Sequence, residues 1–306
     1  MSDTLIKRSF VPGEEWVYYK FYCGAKTGDK VLEEAIIPAI ERLKVNNLID
    51  QWFFIRYADP DLHLRVRLHC SDVANIGEII QTIYRFTQKM VEQELVWKVL
   101  LDTYQRELER YGANTMELSE QLFFFDSELF VKVLPYFRNT DGEVVRWLFA
   151  LKSIDALLDS FQFSLDDKLL LLQELKSAFG KEFGMDQFLK GQLDAKFRKD
   201  RSLIEQALDS TSEKDSLIAT LLNAIHEQRD VMKPIVLQIL SMKQHAQLDI
   251  PFNDLMGSYI HMLVNRIFKS KQRMHEMVLY DFLYRYYKST VARAKKHEGL
   301  AKAVKF

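Results

Sequence analysis

QWFFIRYADPDLHLRVRLH, residues 51–69, decides how the fold is read. Two apolar runs flank Asp59-Pro60-Asp61, a turn signal because proline presets φ and aspartate bonds nearby backbone N–H groups. The runs are expected to pair as neighbouring strands. Side chains alternate with period 2 along a strand, so Leu62, Leu64, Val66 and Leu68 face a core while His63, Arg65, Arg67 and His69 share the other face. Cations two apart on one face repel unless something negative lies over them. Two readings stand: an ordinary solvated sheet face, or a surface built to hold an anion. Arginine suits the second, since its rigid fork orients a carboxylate as well as attracting it.

Around this pair the chain reads as a strand at 16–23, a helix at 29–45, a helix at 74–94 and a strand at 96–104. The order is β-α-β-β-α-β, ferredoxin-like. Pro38 inside the first helix predicts a kink or break. From about 115 the pattern turns helical: 115–136, 140–160, 165–178, 183–208, 214–241, 252–270 and a last helix from 272. Polar breaks fall at Asn139-Thr140-Asp141-Gly142 and Asp209-Ser210-Thr211-Ser212-Glu213, the latter rich in cap residues. The expected class is α+β. A ferredoxin-like region over 1–112 packs against a predominantly helical region, 113–290, completing one compact domain, with a basic tail at 291–306.

Composition excludes several alternatives. A chain of 306 residues with 48% apolar content can bury a sizeable core. Acidic residues number 43 against 42 Lys plus Arg, so no global field draws in nucleic acid. The N-terminus lacks an apolar targeting region and no apolar run reaches membrane-spanning length; a cytoplasmic location without a membrane span is expected. Cys23 and Cys70 alone make neither a disulfide framework nor a metal-ligand spacing, so both are expected reduced and structural. Lys288, Arg293, Lys295, Lys296, Lys302 and Lys305 oppose only Glu298 near the C-terminus, a tail that either docks an acidic partner or only solubilises.

A second informative stretch is LMGSYIHMLVNRIF, residues 255–268. On a helix Met256, Ile260, Leu263 and Ile267 form one apolar stripe, and Ser258, His261 and Asn265 lie together nearly opposite. Apolar neighbours surround that trio, so the helix is buried almost all round. Buried polar groups need partners: the trio is either a structural hydrogen-bond network, or a site in which His261 transfers a proton and Asn265 orients it or a ligand. In TYQRELERYG, residues 103–112, Glu107 and Arg110 stand three apart and can pair on one helical turn. Asp126-Ser127 closes FFFDS, where the carboxylate is either an arginine's partner or a helix-edge residue.

Together these residues carry a resemblance. Trp16, Phe54-Ile55-Arg56-Tyr57 with Asp59-Pro60, His63-Leu64-Arg65 with Arg67, Glu107 with Arg110-Tyr111-Gly112, Asp126-Ser127, and His261-Met262 with Asn265-Arg266 resemble the motifs of the thiopeptide-type bacteriocin biosynthesis family. That family includes the C-terminal glutamate-elimination domain of class I lanthipeptide dehydratases. The likeness runs over 14–290. Three positions depart from the common pattern: Asp61 where glycine is usual, Arg106 where proline is usual before the glutamate, and Ala113 where a second glycine is usual.

The resemblance implies a lyase. Such domains act on precursor peptides whose Ser or Thr hydroxyls carry glutamyl esters; they remove the Cα proton and expel glutamate, leaving dehydroalanine or dehydrobutyrine. Carried over by position, the catalytic set is Arg67, Arg110, Glu107 and His261. Arg67 and Arg110 take the glutamyl carboxylate or the developing oxyanion, Glu107 the glutamyl ammonium or the orientation of Arg110, and His261 proton transfer; the proton-abstracting group stays open. Arg56, His63, Arg65, Ser258, Asn265 and Arg266 are expected at the substrate. No metal or redox cofactor is needed, and no HExxH, CxxC or Rossmann glycine signature implies one. The chain resembles a stand-alone elimination component working with a glutamylated precursor peptide and a separate glutamyl-tRNA-dependent glutamylation protein, with no direct tRNA requirement; a homodimer is compatible. The alternative within the family is a pyridine synthase that joins two dehydroalanines by formal cycloaddition with loss of the leader peptide. A non-catalytic peptide-binding scaffold is the third reading.

Overall fold

The turn at Asp59-Pro60-Asp61 does join two antiparallel strands. In chain order the strands are β1 (Ser9–Phe10), β2 (Trp16–Tyr22), β3 (Gln51–Ala58), β4 (Leu62–His69), β5 (Lys98–Asp102) and β6 (Tyr104–Gln105). The helices are α1 (Gly28–Val31), α2 (Ile37–Val45), α3 (Ile76–Glu92), α4 (Leu108–Tyr111), α5 (Met116–Val133), α6 (Gly142–Ser160), α7 (Leu165–Glu182), α8 (Gln187–Asp209), α9 (Leu217–Gln244), α10 (Phe252–Ile267) and α11 (Gln272–Ala303). The computed structural model describes residues 6–138, 142–209 and 217–303, and only the backbone of Ile218 and of 296–303. Asn139-Thr140-Asp141, Ser210 to Glu213 and the tail's side chains from Lys296 lie outside the described residues.

One sheet has the order β3-β4-β2-β5, every neighbour antiparallel, and a second pairs β1 with β6. The region is α+β, but the chain does not follow a strict β-α-β-β-α-β order. Two local causes account for the departure. Asp102 Oδ1 accepts a hydrogen bond from the Thr103 N–H at 2.7 Å, diverting that backbone from the ladder, so the strand expected over 96–104 splits into β5 and β6. The expected helix 29–45 passes through a π-helical turn, Leu32–Ile36, in which the Ile37 N–H reaches back to the Leu32 carbonyl, a register change that immediately precedes Pro38 and lets the helix continue through it into α2.

Leu64, Val66 and Leu68 are buried, as their alternation requires. The register places Arg67 opposite Tyr18 on one side and Phe53 on the other. β3 is an edge strand, and an edge presents N–H and C=O groups without ladder partners. Side chains from two helices take that role: Ser127 Oγ on α5 accepts from the Phe54 N–H at 3.3 Å. The Asn265 amide on α10 accepts from the Arg56 N–H at 2.7 Å and donates to the Arg56 carbonyl at 2.8 Å. Asn265 thereby does for one residue what a paired strand would do.

Two compact units result, one from residues 1–140 with 230–270, the other from 141–229 with 271–306. The boundary expected at 112/113 separates kinds of secondary structure, while α5 and α10 belong with the sheet. In the second unit the buried Asp155 accepts from Lys168 Nζ at 2.6 Å, Tyr287 Oη at 2.7 Å and Lys152 Nζ at 3.1 Å. Burial opposes its charge, but the two lysines outweigh burial and hold the carboxyl below its ordinary range.

Asn265→Ala leaves a buried backbone N–H and carbonyl of β3 without partners. The expected loss is about 1–3 kcal/mol, read from the urea midpoint with the denaturant slope unchanged.

Candidate active site

The basic face of β4 is not a solvated sheet face: His63 and Arg67 are buried. The Arg67 Cζ lies 4.6 Å from the ring centre of Tyr18, 4.7 Å from Tyr104 and 5.1 Å from Phe53. Tyr18 and Phe53 are its strand neighbours, and Tyr104 arrives from β6. Among the described residues no carboxylate comes within 4.0 Å of this guanidinium, and its buried Nε has no hydrogen-bond partner. A buried cation held only by π faces is an electrostatic vacancy for an anion.

Toward the other end of β4, Arg65 lies 3.4 Å over the Tyr57 ring and its Nε donates to His63 Nε2 at 3.1 Å. His63 Nδ1 meets the Asp61 carbonyl at 2.8 Å, and the ring stacks on Tyr22 at 4.6 Å. An Nε2 that accepts and an Nδ1 facing a carbonyl define the neutral Nδ1–H tautomer. Burial lowers the imidazole from 6.5, outweighing the Asp61 carbonyl, and Arg65 and Lys20 lower it further.

In α4, Arg110 Nη1 lies 3.6 Å from Glu107, and Arg110 Nε donates to Ser258 Oγ on α10 at 3.2 Å. Gly112 ends the turn at φ 75°, and a Cβ there would meet Asp249 Cβ and Thr115 Oγ1 at 3.1 Å, so glycine is required. Ala113 has no positive φ, and so needs no glycine. His261, half-buried, stands three residues beyond Ser258 and thus on the same side of α10.

Tyr111 turns inward against Phe123, ring centres 5.1 Å apart. Phe123 lies 5.4 Å from Phe53 and 5.3 Å from the Arg266 guanidinium, so a chain of rings links the Arg67 cage to α4. Arg266 Nη1 donates to the Met262 carbonyl at 2.8 Å and lies 3.6 Å from Asp126; its Nε donates to Ser127 Oγ at 3.2 Å. Burial brings Arg266 down to about 10, against the support of Asp126, and it stays charged at neutral pH. Two polar atoms in this layer are buried without partners: the Tyr111 hydroxyl and Arg266 Nη2. Burial raises the Tyr111 hydroxyl far above its ordinary value although Arg110, Arg266 and Arg67 oppose the rise.

Of the residues expected at a site, Arg110, Glu107 and Ser258 are brought together. His63 and Arg65 form their own pair. Asn265 and Arg56 bind each other, and Arg56 also donates to Asp29 at 2.6 Å and the Arg266 carbonyl at 3.0 Å. Both spend polar groups on structure. Tyr18, Tyr104 and Phe53 escaped the sequence reading, which quoted Tyr111 in a motif but gave it no place at the site; the in-phase aromatics of β2 were a visible signal for Tyr18, but nothing local marks Tyr104. Cys23 and Cys70 are buried and unpaired, and burial pushes the Cys23 thiol up to about 11. No helix among the described residues is long and apolar enough to cross a membrane. Among those residues no cluster of three or more His, Cys, Asp or Glu is arranged to hold a metal.

Residues 16–287 match the family described as lantibiotic biosynthesis dehydratase, C-terminal, and the chain belongs to that family. It is 24% identical over 277 residues to the subtilin biosynthesis protein SpaB of Bacillus subtilis, covering 88% of this chain and 25% of SpaB. The fold is similar to the crystal structure of the tRNA-dependent lantibiotic dehydratase MibB from Microbispora sp. 107891, with TM-score 0.70, 21% identity, and coverage of 93% of this chain and 29% of MibB. It is also similar to TbtD, the pyridine synthase from thiomuracin biosynthesis, with TM-score 0.63, 12% identity, and coverage of 90% and 99%. The chain thus spans about a quarter of the length of SpaB and somewhat more of MibB. Membership places it in an enzyme family of lantibiotic biosynthesis.

The neutral His63 makes a pH prediction. Its folded-state pKa lies below 6.5, so its contribution to stability is present above 6.5 and lost as pH falls from there through the folded value. His63→Gln should flatten the stability loss below 6.5, measured by urea unfolding of both proteins across that range. Parallel slopes would disprove the neutral assignment.

Proposed function

We propose that this chain eliminates glutamate from glutamyl esters on Ser or Thr of a precursor peptide, forming dehydroalanine and dehydrobutyrine. The observation that carries the reading is Arg67, a buried guanidinium with no carboxylate beside it among the described residues. Esterification converts a poor hydroxide leaving group into a carboxylate whose acid has a pKa near ~4. What remains difficult is removal of the Cα proton, which places enolate-like charge on the peptide carbonyl. A preorganised cation in a water-poor setting stabilises that charge more than the neutral carbonyl before it.

In this reading Arg67 and Arg110 divide two anionic groups, the glutamyl carboxylate and the developing oxyanion. Glu107 receives the glutamyl ammonium or orients Arg110, at 3.6 Å from it. Ser258 fixes Arg110 Nε, and His261 carries the proton. Arg65 and His63 line the approach along the same sheet face, and Arg56, Asn265 and Arg266 hold the β3 edge and α10 that frame the site. The glutamyl ester would be installed by an activity outside these 306 residues, so no tRNA is required in this step. Cycloaddition between two dehydroalanines is the second reading, supported by the likeness to TbtD at the level of fold; it uses no glutamyl carboxylate and so leaves the unpaired arginine less explained.

Purified protein with a precursor bearing glutamyl esters is expected to release glutamate and yield dehydro residues without tRNA or ATP, read by mass spectrometry. Arg67→Ala, Arg110→Ala and His261→Ala should each slow the step by about 10²–10³-fold and leave glutamylated peptide. Return of the ester to Ser or Thr counts against elimination, and formation of a pyridine ring from a dehydroalanine peptide would establish the second reading instead.

A further inference from the structure

We propose that Tyr104 is a positioning residue for Arg67, and that Arg106 and Glu120 act on the guanidinium through it. The proposal rests on the anion-binding role given to Arg67 above. It begins from an asymmetry in the cage. Tyr18 and Phe53 flank Arg67 by strand register, so the ladder that forms the sheet also places them. Tyr104 belongs to β6, which pairs with β1 and not with β4. Its location against Arg67 must be fixed separately.

A chain of buried polar contacts does this. The Tyr104 hydroxyl donates to Glu120 Oε1 on α5 at 2.7 Å. Arg106 grips the same carboxylate with both prongs of its fork, Nε to Oε1 at 2.8 Å and Nη2 to Oε2 at 2.6 Å. Arg106 is itself anchored by its Nη1 on the Lys7 carbonyl at 3.0 Å and its backbone N–H on the Arg8 carbonyl at 2.8 Å. Tyr104, Arg106 and Glu120 are all buried. Burial, with Glu120 adding to it, keeps the Tyr104 hydroxyl protonated and a donor. The ring it anchors stacks on Phe10 at 5.8 Å and meets Arg67 at 4.7 Å.

Such a chain is costly to bury as a core element, because each charge leaves water. Its placement gives it a use. The Arg67 side chain makes no hydrogen bond or ion pair with a described residue, so beyond its own tether to β4 the π faces set where its guanidinium stands, and a ring that drifts lets the cation drift. A carboxylate in direct contact with Arg67 would fix it too, but would occupy the position meant for substrate. Holding the carboxylate one ring away restrains the cation and leaves its N–H groups for the substrate anion.

The test uses the cage with its own cation removed. In Arg67→Ala, millimolar ethylguanidinium is expected to bind the emptied cage, seen as a saturable rise in Tm absent from the parent protein, and to restore part of the elimination activity. Arg67→Ala/Tyr104→Leu should lose the rise. Arg67→Ala/Tyr104→Phe, which keeps the ring and cuts only the Glu120 bond, should bind ethylguanidinium about tenfold more weakly. In the parent background Tyr104→Phe should lower kcat about tenfold with KM nearly unchanged, the mark of an interaction made in the transition state. Absence of a saturable rise in Arg67→Ala, or equal ethylguanidinium affinity with and without the Tyr104 substitutions, overturns the proposal. Should Tyr104→Leu fail to fold, the Phe variant decides alone. The Tm readout needs no turnover, so a protein that binds ethylguanidinium as described yet never releases glutamate refutes the reaction and keeps the cage.

Discussion

The first unit depends on one awkward requirement, the burial of an arginine with no carboxylate beside it among the described residues. Moving a guanidinium out of water is expensive unless it is paired. Around Arg67 the compensation is spread over the faces of Tyr18, Tyr104 and Phe53, each worth about 0.5–2 kcal/mol. That sum is smaller than an ion pair with good geometry would supply, so Arg67 keeps a residual demand for a negative partner. Much of the neighbouring architecture follows from meeting the demand only partly. β2 and β3 are aromatic where they oppose Arg67, β6 brings a third ring from another sheet, and the buried Glu120 carboxylate contacts Tyr104.

How much of this could be read along the chain depends on range. The turn at Asp59-Pro60-Asp61, the alternation of β4 and the burial of α10 are short-range patterns, and they stand in the structure where periodicity puts them. The helices after 115 begin and end within a few residues of their expected bounds for the same reason. The split between β5 and β6 turns on one local hydrogen bond from Thr103 to Asp102, which leaves no mark on hydrophobic periodicity. The cage was out of reach because its members are joined by pairing: alternation shows that Arg67 shares a face with Arg65, not that Tyr104 from a different sheet closes over it. The same limit hid the partner of Asn265. Its burial was legible, its bond to the β3 edge was not.

The three departures from the family pattern are each absorbed locally. Asp61 supplies the carbonyl that meets His63 Nδ1, a backbone role that glycine could also fill. Ala113 follows the one position in that loop where φ is positive, Gly112. Arg106 is the informative one. Proline there would lack both the N–H that donates to Arg8 and the fork that clamps Glu120, so this chain has a restraint on Tyr104 that proline cannot provide.

α10 shows why positions within about two turns of one helix can serve different ends. Ser258 bonds Arg110 of α4, Asn265 pairs with the backbone of β3, and Arg266 reaches Asp126 and Ser127 of α5. His261 lies between the first and second of these anchors, so its ring is carried by a helix tied down at both ends of the same face. A proton-transfer group gains from such mounting, since its rate depends on reaching the reacting atom within hydrogen-bond distance and a misplacement near 1 Å can cost about 10²-fold. The buried polar groups of α10 thus need not touch substrate to matter to it. They convert a helix that hydrophobic packing would leave free to slide into one whose rotation and height are set by directional contacts from three of its side chains.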